Sequence, residues 1–325
     1  MPDSQAQLTV AVVIPAYTLD RWELIKKAVE SARHQSLPPQ EVVLCIDNND
    51  ELYQQSQREW SAPSAGPPVR VVPNRHSDHL AGQSTHERAH GTTRRFGAGS
   101  ARNAAVETLS VDVVAFLDDD AHADGHWLGE LLGVYRDTDV VAVGGAPLPD
   151  YETRRPRWFP YNFDWVFGCA YEGLPTSTAP LGHLIGANMS VRRLALLQVG
   201  GFQSVDFDDL DLCMRLADRY GPRALQYNPD AVVHHHVTAE RVTWRYFYRR
   251  CFFVNREKVE AFRGMGDAAN LRSERQFVWR ALRVQLRAEM RRLAAGDVQA
   301  PRRVAAMVTG IGLAGAGHLA GRWRR

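Results

Sequence analysis

The chain alternates between short runs that are apolar throughout and longer segments whose apolar residues recur with helical spacing. An apolar run without polar alternation is typical of a strand buried on both faces of a sheet. By this pattern we predict strands at 9–17, 41–50, 69–73, 113–117 and 139–145. The spacing between them predicts helices at 22–33, 101–109 and 126–136. Strands that alternate with helices indicate an α/β fold, with a mostly parallel, Rossmann-like sheet covered by helices on both faces.

The pattern changes near residue 150. Residues 154–175 are rich in aromatic side chains and have no regular spacing, whereas 184–193 is a short apolar element. We predict a helix at 208–221, ended by a glycine, and a further strand at 224–237. In an α/β sheet, ligands bind at the carboxyl ends of the strands, and polar residues at those ends are therefore the candidates for function.

Residues 240–325 have mainly helical spacing. One face of this tail carries Trp279, Leu282, Leu286, Met290 and Leu293. The opposite face carries Arg280, Arg283, Arg287 and Arg291. The net charge of +2 hides a charge of −10 over 1–239 and of +12 over 240–325. An acidic body with a basic tail suggests that the tail contacts an anionic surface, with a solvated helical face as the open alternative.

Composition limits the class of protein. With 325 residues, 45% of them hydrophobic and 23% charged, the chain is globular and long enough for one large or two small domains. Its four cysteines lie far apart, which predicts buried thiols in a reducing compartment rather than disulfides or a zinc site. We find no signal-peptide pattern and no run of 18 clearly apolar residues, so we expect no membrane-spanning helix.

Three adjacent carboxylates follow the apolar run at 113–117, at Asp118, Asp119 and Asp120. Carboxylates repel one another and prefer water to the end of a buried strand, so a bound cation would explain the cluster. Asp118 and Asp120 are separated by one residue and can meet one ion, and oxygen ligands suit Mg²⁺ or Mn²⁺. Acidic triplets are common in loops, but this one ends a central strand.

A second candidate for metal binding is the triplet at 234–236, where three histidines follow an apolar strand. Successive side chains on a strand point to opposite faces, so His235 faces away from His234 and His236. One face could therefore give one imidazole to the ion held by the aspartates. A zinc site made by the triplet itself is disfavoured, because neighbours on one strand cannot all point at one metal. Histidines without a ligand role remain the alternative.

The predicted helix at 208–221 begins with Asp208, Asp209 and Asp211. Negative charge is favoured in the first turn of a helix, so ordinary capping explains these residues. A general base that accepts a proton from an attacking hydroxyl explains them equally well.

The sequence also contains "GIGLAG" at 310–315, but no βαβ unit can follow it, and the match to a dinucleotide-binding motif is therefore chance.

Taken together, these segments resemble the family 2 glycosyltransferases with the GT-A fold. The resemblance rests on "VVIPAY", "VVLCIDNND", "GSARNAAVE", "VVAFLDDDA", "LIGANMSVRR", "DDLDLCMRL" and "NPDAVVHHHV", which occur in the family's order over residues 9–260. It implies an inverting, metal-dependent enzyme that moves a sugar from a nucleotide-diphosphate sugar, with UDP favoured, to a hydroxyl group. The chain is similar to prokaryotic enzymes that extend cell-surface polysaccharides or lipid-linked glycans.

The resemblance also implies roles for individual residues. The donor would be bound by Pro15, Ala16, Tyr17, Asp47, Arg102, Asp118 and Asp119. Mn²⁺ or Mg²⁺ would be held by Asp118, Asp120 and His235. Asp209 would be the catalytic base. The family usually has Glu at the position of Asp208, and the shorter side chain puts the role of Asp208 in doubt.

By the same resemblance, residues 1–150 would bind the nucleotide-sugar, 151–260 would bind the acceptor and supply the base, and 261–325 would form the basic tail. The stretch 74–99 would be a flap over the donor, or a disordered segment. The aromatic segment 157–175 and "GANMS" would shape the acceptor side, for a glycan or a polyprenyl-linked acceptor. We expect a cytoplasmic protein attached peripherally, through its tail, to the anionic inner face of the cell membrane.

Three other functions fit parts of the sequence. A metal-dependent nucleotidyltransferase shares the sheet and the two-carboxylate site, but it needs a glycine-rich basic loop after the first strand, and "PAYTLDRWELIKK" has no glycine. A non-catalytic nucleic-acid-binding protein could use the basic tail, but the acidic body argues against it, and we expect no nucleic-acid partner. A glycosyltransferase-like fold without activity is disfavoured because Asp118, Asp120, Asp209 and His235 are all present.

Overall fold

The computed structural model describes residues 8–62, 65–74, 97–204, 207–261 and 284–323. The chain divides into two compact units. The first comprises Met1–Leu148 and Pro175–His235, and the second comprises Pro149–Leu174 and His236–Arg325. The regions predicted to bind the donor, to bind the acceptor and to form the tail were defined by function, and the division into units does not test them. Their boundaries therefore stay a prediction. Of the predicted flap, residues 75–96 lie outside the described residues.

The first unit contains four parallel strands in the spatial order β3-β2-β1-β4. They are β1 (Val10–Ala16), β2 (Glu41–Asp47), β3 (Val69–Asn74) and β4 (Val113–Leu117). The helices that follow them are α1 (Trp22–Arg33), α2 (Asp50–Glu59) and α3 (Ala98–Glu107). All four strands, α1 and α3 were predicted from apolar spacing. The prediction did not include α2, because only two of its residues are buried and its spacing is polar.

The remaining strands of the sheet are not all parallel. They are β5 (Ala121–Ala123), β6 (Ala142–Tyr151), β7 (Ala179–Pro180), β8 (Asn188–Arg192) and β9 (Leu225–Val237). β8 pairs antiparallel with β4 and with β6, and β9 pairs antiparallel with β5 and with β7. The predicted mostly parallel sheet is confirmed, with β8 inserted between β4 and β6 in the opposite direction. Apolar runs do not reveal this, because a buried strand looks the same in either direction.

Helices cover both faces of the sheet, as predicted. The remaining helices of this unit are α4 (Trp127–Val134), α5 (Arg193–Gln198) and α6 (Asp208–Tyr220), with short 3₁₀ turns at Leu19–Arg21 and Pro222–Ala224. Val12 and Ile14 of β1 pack on the same side as α1 and α4. Ala11 and Val13 pack on the opposite side, with α3 and α6. The alternation along one fully buried strand thus divides the core into two layers.

The second unit is helical and aromatic. It contains a 3₁₀ helix at Tyr161–Phe167, α7 (Trp244–Ala261), α8 (Leu286–Ala294) and α9 (Ala300–Trp323). Gly317 lets α9 approach α7 closely, because a Cβ atom there would overlap the carbonyl oxygen of Phe252. The predicted helical tail is confirmed where it is described, whereas Trp279, Arg280, Leu282 and Arg283 lie outside the described residues.

One described helix, Ala300–Trp323, is long and apolar enough to cross a membrane, judged by length and composition. In its most apolar stretch of 18 residues, 28% is buried within the protein. The sequence prediction of no spanning segment did not anticipate this helix. The reason is that its apolar character comes from alanine and glycine more than from large side chains. Length and composition alone are weak evidence for spanning, since core helices of soluble proteins meet the same criterion.

Candidate functional site

The acidic triplet lies where β4 ends, at the carboxyl edge of the parallel strands. Asp119 and Asp120 are buried, and 28% of the side chain of Asp118 is exposed. Oδ2 of Asp119 is buried and has no hydrogen-bond partner within the described residues. A sheet that ends in three carboxylates, two of them buried, needs nearby positive charge, because an uncompensated buried charge is strongly destabilising.

Asp118 and Asp120 meet His235, as predicted. One ligand atom from each of the three side chains lies within 4.8 Å of the other two. Pairing of β5 with β9 places His235 opposite Ala121, directly after the triplet, and Nε2 of His235 lies 3.1 Å from Oδ1 of Asp120. Two carboxylate oxygens and one imidazole nitrogen suit Mn²⁺ well and leave Mg²⁺ acceptable. The residues therefore fit the divalent ion that the sequence predicts.

His234, the preceding histidine of the triplet, has different contacts. Nε2 of His234 lies 2.9 Å from Oδ1 of Asp124, and its ring stacks on that of His122 with centroids 4.9 Å apart. The side chain of His234 is 35% exposed, whereas that of His235 is 7% exposed. The strand alternation therefore separates the two histidines as expected, with only His235 turned toward the aspartates.

Arg21 supplies positive charge to the triplet. Its Nη1 donates to Oδ1 of Asp119 at 2.7 Å and lies 3.0 Å from Oδ2 of Asp120. Burial raises the pKa of Asp119 to about 7, while Arg21 opposes the shift and Asp120 adds to it. The sequence analysis missed Arg21, since nothing in its local pattern links it to carboxylates almost a hundred residues away.

Arg102 of α3 joins the triplet to the start of α6. One terminal nitrogen donates to Asp118 Oδ1 at 2.7 Å and the other donates to Asp208 Oδ2 at 2.8 Å. The guanidinium is buried, with its carbon 5.3 Å from the ring centroid of Phe202. Burial raises the pKa of Asp208, Arg102 opposes this shift, and Asp209 and Asp118 add to it. Asp208 thus pairs with an arginine, which gives this residue of doubtful role a clear structural function.

Asp209, the predicted base, is held by a loop and by its own helix. Oδ1 accepts the N–H of Leu210 at 2.7 Å, and Oδ2 accepts the N–H of Gly186 at 3.0 Å. Nε2 of His183 lies 3.4 Å from the same Oδ2. Burial acts to raise the pKa of Asp209, but the charge of a protonated His183 and these hydrogen bonds outweigh it and lower the pKa to about 2. The sequence analysis missed His183, which no motif singled out.

The remaining predicted donor residues lie at the ends of β1 and β2. Pro15 and Ala16 are buried, and 54% of Tyr17 is exposed. Asp47 accepts hydrogen bonds from the side chain of Asn74 at 2.7 Å and from the backbone of Gly97 at 2.8 Å. These contacts fix the Asp47 carboxylate at the edge of the sheet. The role of Asp47 in binding the donor stays a prediction.

The chain is similar in sequence to known glycosyltransferases. Residues 89–200 match the sequence model described as Glycosyl transferase family 2. The chain is 29% identical over 261 residues to the glucosyl-dolichyl phosphate glucuronosyltransferase of Haloferax volcanii, covering 77% of this chain and 76% of that protein. It is 32% identical over 162 residues to the pre-mycofactocin glycosyltransferase of Mycobacterium tuberculosis, covering 48% of this chain and 33% of that protein.

Solved structures of similar fold were also found. The mannosyltransferase PcManGT from Pyrobaculum calidifontis, in complex with GDP-Man and Mn²⁺, has a TM-score of 0.60 at 18% identity, covering 100% of this chain and 90% of that chain. GalNAc-T7 with UDP, GalNAc and Mn²⁺ has a TM-score of 0.52 at 15% identity, covering 86% of this chain and 57% of that chain. At these identities the likeness concerns the fold, and it confirms the predicted fold class.

Proposed function

The chain belongs to glycosyltransferase family 2, and from this premise we propose that it transfers a sugar from a UDP-sugar to a hydroxyl of a lipid-linked glycan, with inversion. The observation that carries the proposal is the convergence of Asp118, Asp120 and His235. Arg102 connects this trio to Asp208, the neighbour of the candidate base Asp209. A metal-ligand set, a buried arginine and a carboxylate base are the groups that transfer from a nucleotide-sugar requires.

The donor half of the proposed site is built around the triplet. Mn²⁺ or Mg²⁺, when bound by Asp118, Asp120 and His235, would neutralise charge on the diphosphate as it leaves. Arg102, which donates hydrogen bonds to Asp118 and Asp208, adds a fixed positive charge next to the triplet. The buried Oδ2 of Asp119 has no hydrogen-bond partner within the described residues. It can therefore accept a hydrogen bond from a hydroxyl group such as that of the ribose.

Asp209 acts as the base in the proposed reaction. With its pKa lowered to about 2, its carboxylate is ionised at neutral pH and accepts the proton of the acceptor hydroxyl. The hydroxyl oxygen forms a bond to the anomeric carbon while the bond from that carbon to the diphosphate oxygen breaks. The electron pair leaves with the diphosphate. One displacement from the opposite face inverts the configuration, and no covalent intermediate on the protein is needed.

The acceptor class rests on sequence similarity. The relative from Haloferax volcanii is named for a glucosyl-dolichyl phosphate acceptor, and the alignment spans most of both chains. We therefore propose that this chain acts on a sugar carried by a polyprenyl-type phosphate. The roles predicted for 157–175 and for "GANMS" at 186–190 on the acceptor side stay proposals.

A lipid-linked acceptor places the enzyme at a membrane. The tail offers exposed apolar side chains on one face of α9, at Val308, Leu319 and Trp323, which are 57%, 59% and 85% exposed. The tail is also basic, which favours anionic lipid. We propose peripheral attachment through this face, and we retain the cytoplasmic side of the membrane as a prediction.

The activity is tested by incubating the full chain with glucosyl polyprenyl phosphate, Mn²⁺ and a panel of UDP-, GDP- and dTDP-sugars, followed by mass spectrometry. The expected result is an acceptor heavier by one sugar, together with release of the nucleoside diphosphate. Asp209→Asn serves as the control and should give no product. Transfer of the nucleoside monophosphate instead, with release of the sugar 1-phosphate, would indicate a nucleotidyltransferase and contradict the proposal.

A further inference from the structure

We propose that His183 is a positioning residue that holds Asp209 for catalysis and carries the abstracted proton from it to solvent. The inference rests on the proposed function and assigns a role to a residue that the sequence motifs do not include. The proposal is based on the position of the imidazole, whose Nε2 lies 3.4 Å from the carboxylate oxygen Oδ2 of Asp209.

The loop that carries His183 is anchored on both sides. The N–H of Leu181 donates to the carbonyl oxygen of Leu225 at 3.2 Å. On the other side, the N–H of Leu184 donates to Sγ of Cys213 at 3.4 Å, and the Leu184 side chain is fully buried in the core. A residue held between two anchors has little freedom in its backbone, so its ring is presented to Asp209 by the fold.

The two side chains differ in their access to water. The side chain of Asp209 is 23% exposed, whereas that of His183 is 48% exposed. Oδ2 of Asp209 also accepts the N–H of Gly186, which fixes the carboxylate but cannot take a proton from it. Of the two contacts to this oxygen, only the imidazole can accept a proton and pass it outward.

The charges around Asp209 make its basicity depend on His183. Arg102 and Asp208 face it with opposite charges and are paired with each other, and the Cys213 thiol lies close by. Burial raises the pKa of Cys213 to about 12, so this thiol stays uncharged at neutral pH. The remaining group in contact with Asp209 that can exchange a proton is the imidazole of His183. A protonated imidazole weakens the base, and a neutral imidazole strengthens it.

The proton balance of the step is complete. Asp209 takes the proton of the acceptor hydroxyl as the new carbon–oxygen bond forms. The carboxylic acid then gives that proton to Nε2 of a neutral His183, which restores the carboxylate. The imidazolium releases one proton to water, so His183 ends each turnover as it began. No oxidant, reductant or further reactant is required.

The test compares kcat as a function of pH for the full chain and for His183→Gln, His183→Ala and His34→Gln, at saturating Mn²⁺ and over a range of donor concentrations. His34 is the matched control, because its Nδ1 lies 3.5 Å from the carboxylate oxygen Oε2 of Glu30 and its side chain is exposed at the end of α1. We expect His183→Gln to lower kcat about tenfold or more near pH 7.5 and to flatten its acid limb, with the donor KM unchanged. His34→Gln should match the unmodified protein.

His183→Ala provides a second, independent measurement. Because His183 is half exposed, free imidazole can enter the space left by its side chain, and we expect added imidazole to restore part of kcat. A merely structural histidine would give no such rescue. Unchanged kcat and pH profiles in both His183 variants, with an active unmodified protein, would overturn this inference alone. No transfer by the unmodified protein would overturn the proposed function and this inference with it.

Discussion

Nε2 of His235 lies 3.1 Å from Oδ1 of Asp120, and both side chains are only 7% exposed. The contact is produced by the pairing of β5 with β9, which sets His235 opposite the residue that follows the triplet. Two buried polar groups at this distance are close enough for a hydrogen bond. A divalent ion held by the pair, as we propose, would take the place of that hydrogen bond, so the pair would bind a cation as well as hold two strands together.

The first prediction concerns the metal. His235→Gln should lower the affinity of the full chain for Mn²⁺ at least tenfold, because it removes the one nitrogen ligand of the site. His234→Gln is the matched control, since His234 is next in sequence but contacts Asp124 on the opposite face. Isothermal titration with Mn²⁺ alone measures both. Equal affinities in the two variants would exclude His235 as a ligand.

The second prediction concerns Arg102. Arg102→Met keeps most of the apolar stem but leaves Asp118 and Asp208 without their shared cation, so we expect a loss of about 3–5 kcal/mol in the free energy of unfolding. Arg219→Met, an exposed position on α6, should change it by less than about 0.5 kcal/mol. Urea denaturation at pH 7 compares the two. A similar small loss in both would contradict the role of Arg102.

The third prediction concerns pH. The pKa of Asp209 in the folded protein is about 2, below its ordinary value of 3.8. A lowered pKa stabilises the fold above about pH 4, and that contribution is lost as the pH falls through 2. Between pH 6 and pH 3 the loss amounts to about 1 kcal/mol for this group.

Asp209→Asn cannot ionise and therefore lacks this contribution. We expect its free energy of unfolding to fall by about 1 kcal/mol less than that of the unmodified protein between pH 6 and pH 3. Urea denaturation at the two pH values gives the difference, in which the contributions of carboxylates distant from Asp209 cancel. The same fall in both proteins would mean that the contacts to Asp209 do not lower its pKa.

The fourth prediction concerns the membrane. The double substitution Leu319→Ser and Trp323→Ser removes the two most exposed large apolar side chains of α9, so sedimentation with anionic vesicles should fall at least tenfold. Leu194→Ser is the matched control, because Leu194 is 69% exposed on α5 in the first unit. Neutral vesicles should bind the unmodified protein more weakly. Undiminished binding of the double variant would exclude this face.

Those features of the fold that depend on local periodicity could be predicted from the sequence. It predicted α1 at Trp22–Arg33 to the residue, and it predicted β4 at Val113–Leu117 equally well. Strand alternation predicted that His235 faces away from its neighbours, and the resemblance to the family selected it as the ligand. These predictions succeed because the spacing of apolar side chains and the face of a strand are properties of a single segment.

Contacts between distant segments could not be predicted from the sequence where no motif marks the residues. Arg21 and His183 meet Asp119 and Asp209 only after the chain has folded, and neither lies in a motif. The antiparallel insertion of β8 was missed for a related reason, since strand direction depends on the connections and not on composition. The partners that adjust charge at this site are therefore set by topology.

The measurement that tests the central claim most directly is the binding of UDP to the full chain by isothermal titration, with Mn²⁺ and with EDTA. If Asp118, Asp120 and His235 hold the ion that binds the diphosphate, UDP should bind with Mn²⁺ and show no detectable binding in EDTA. Asp120→Asn should behave in Mn²⁺ as the unmodified protein does in EDTA. Binding of UDP that is equally strong with and without metal would contradict the account.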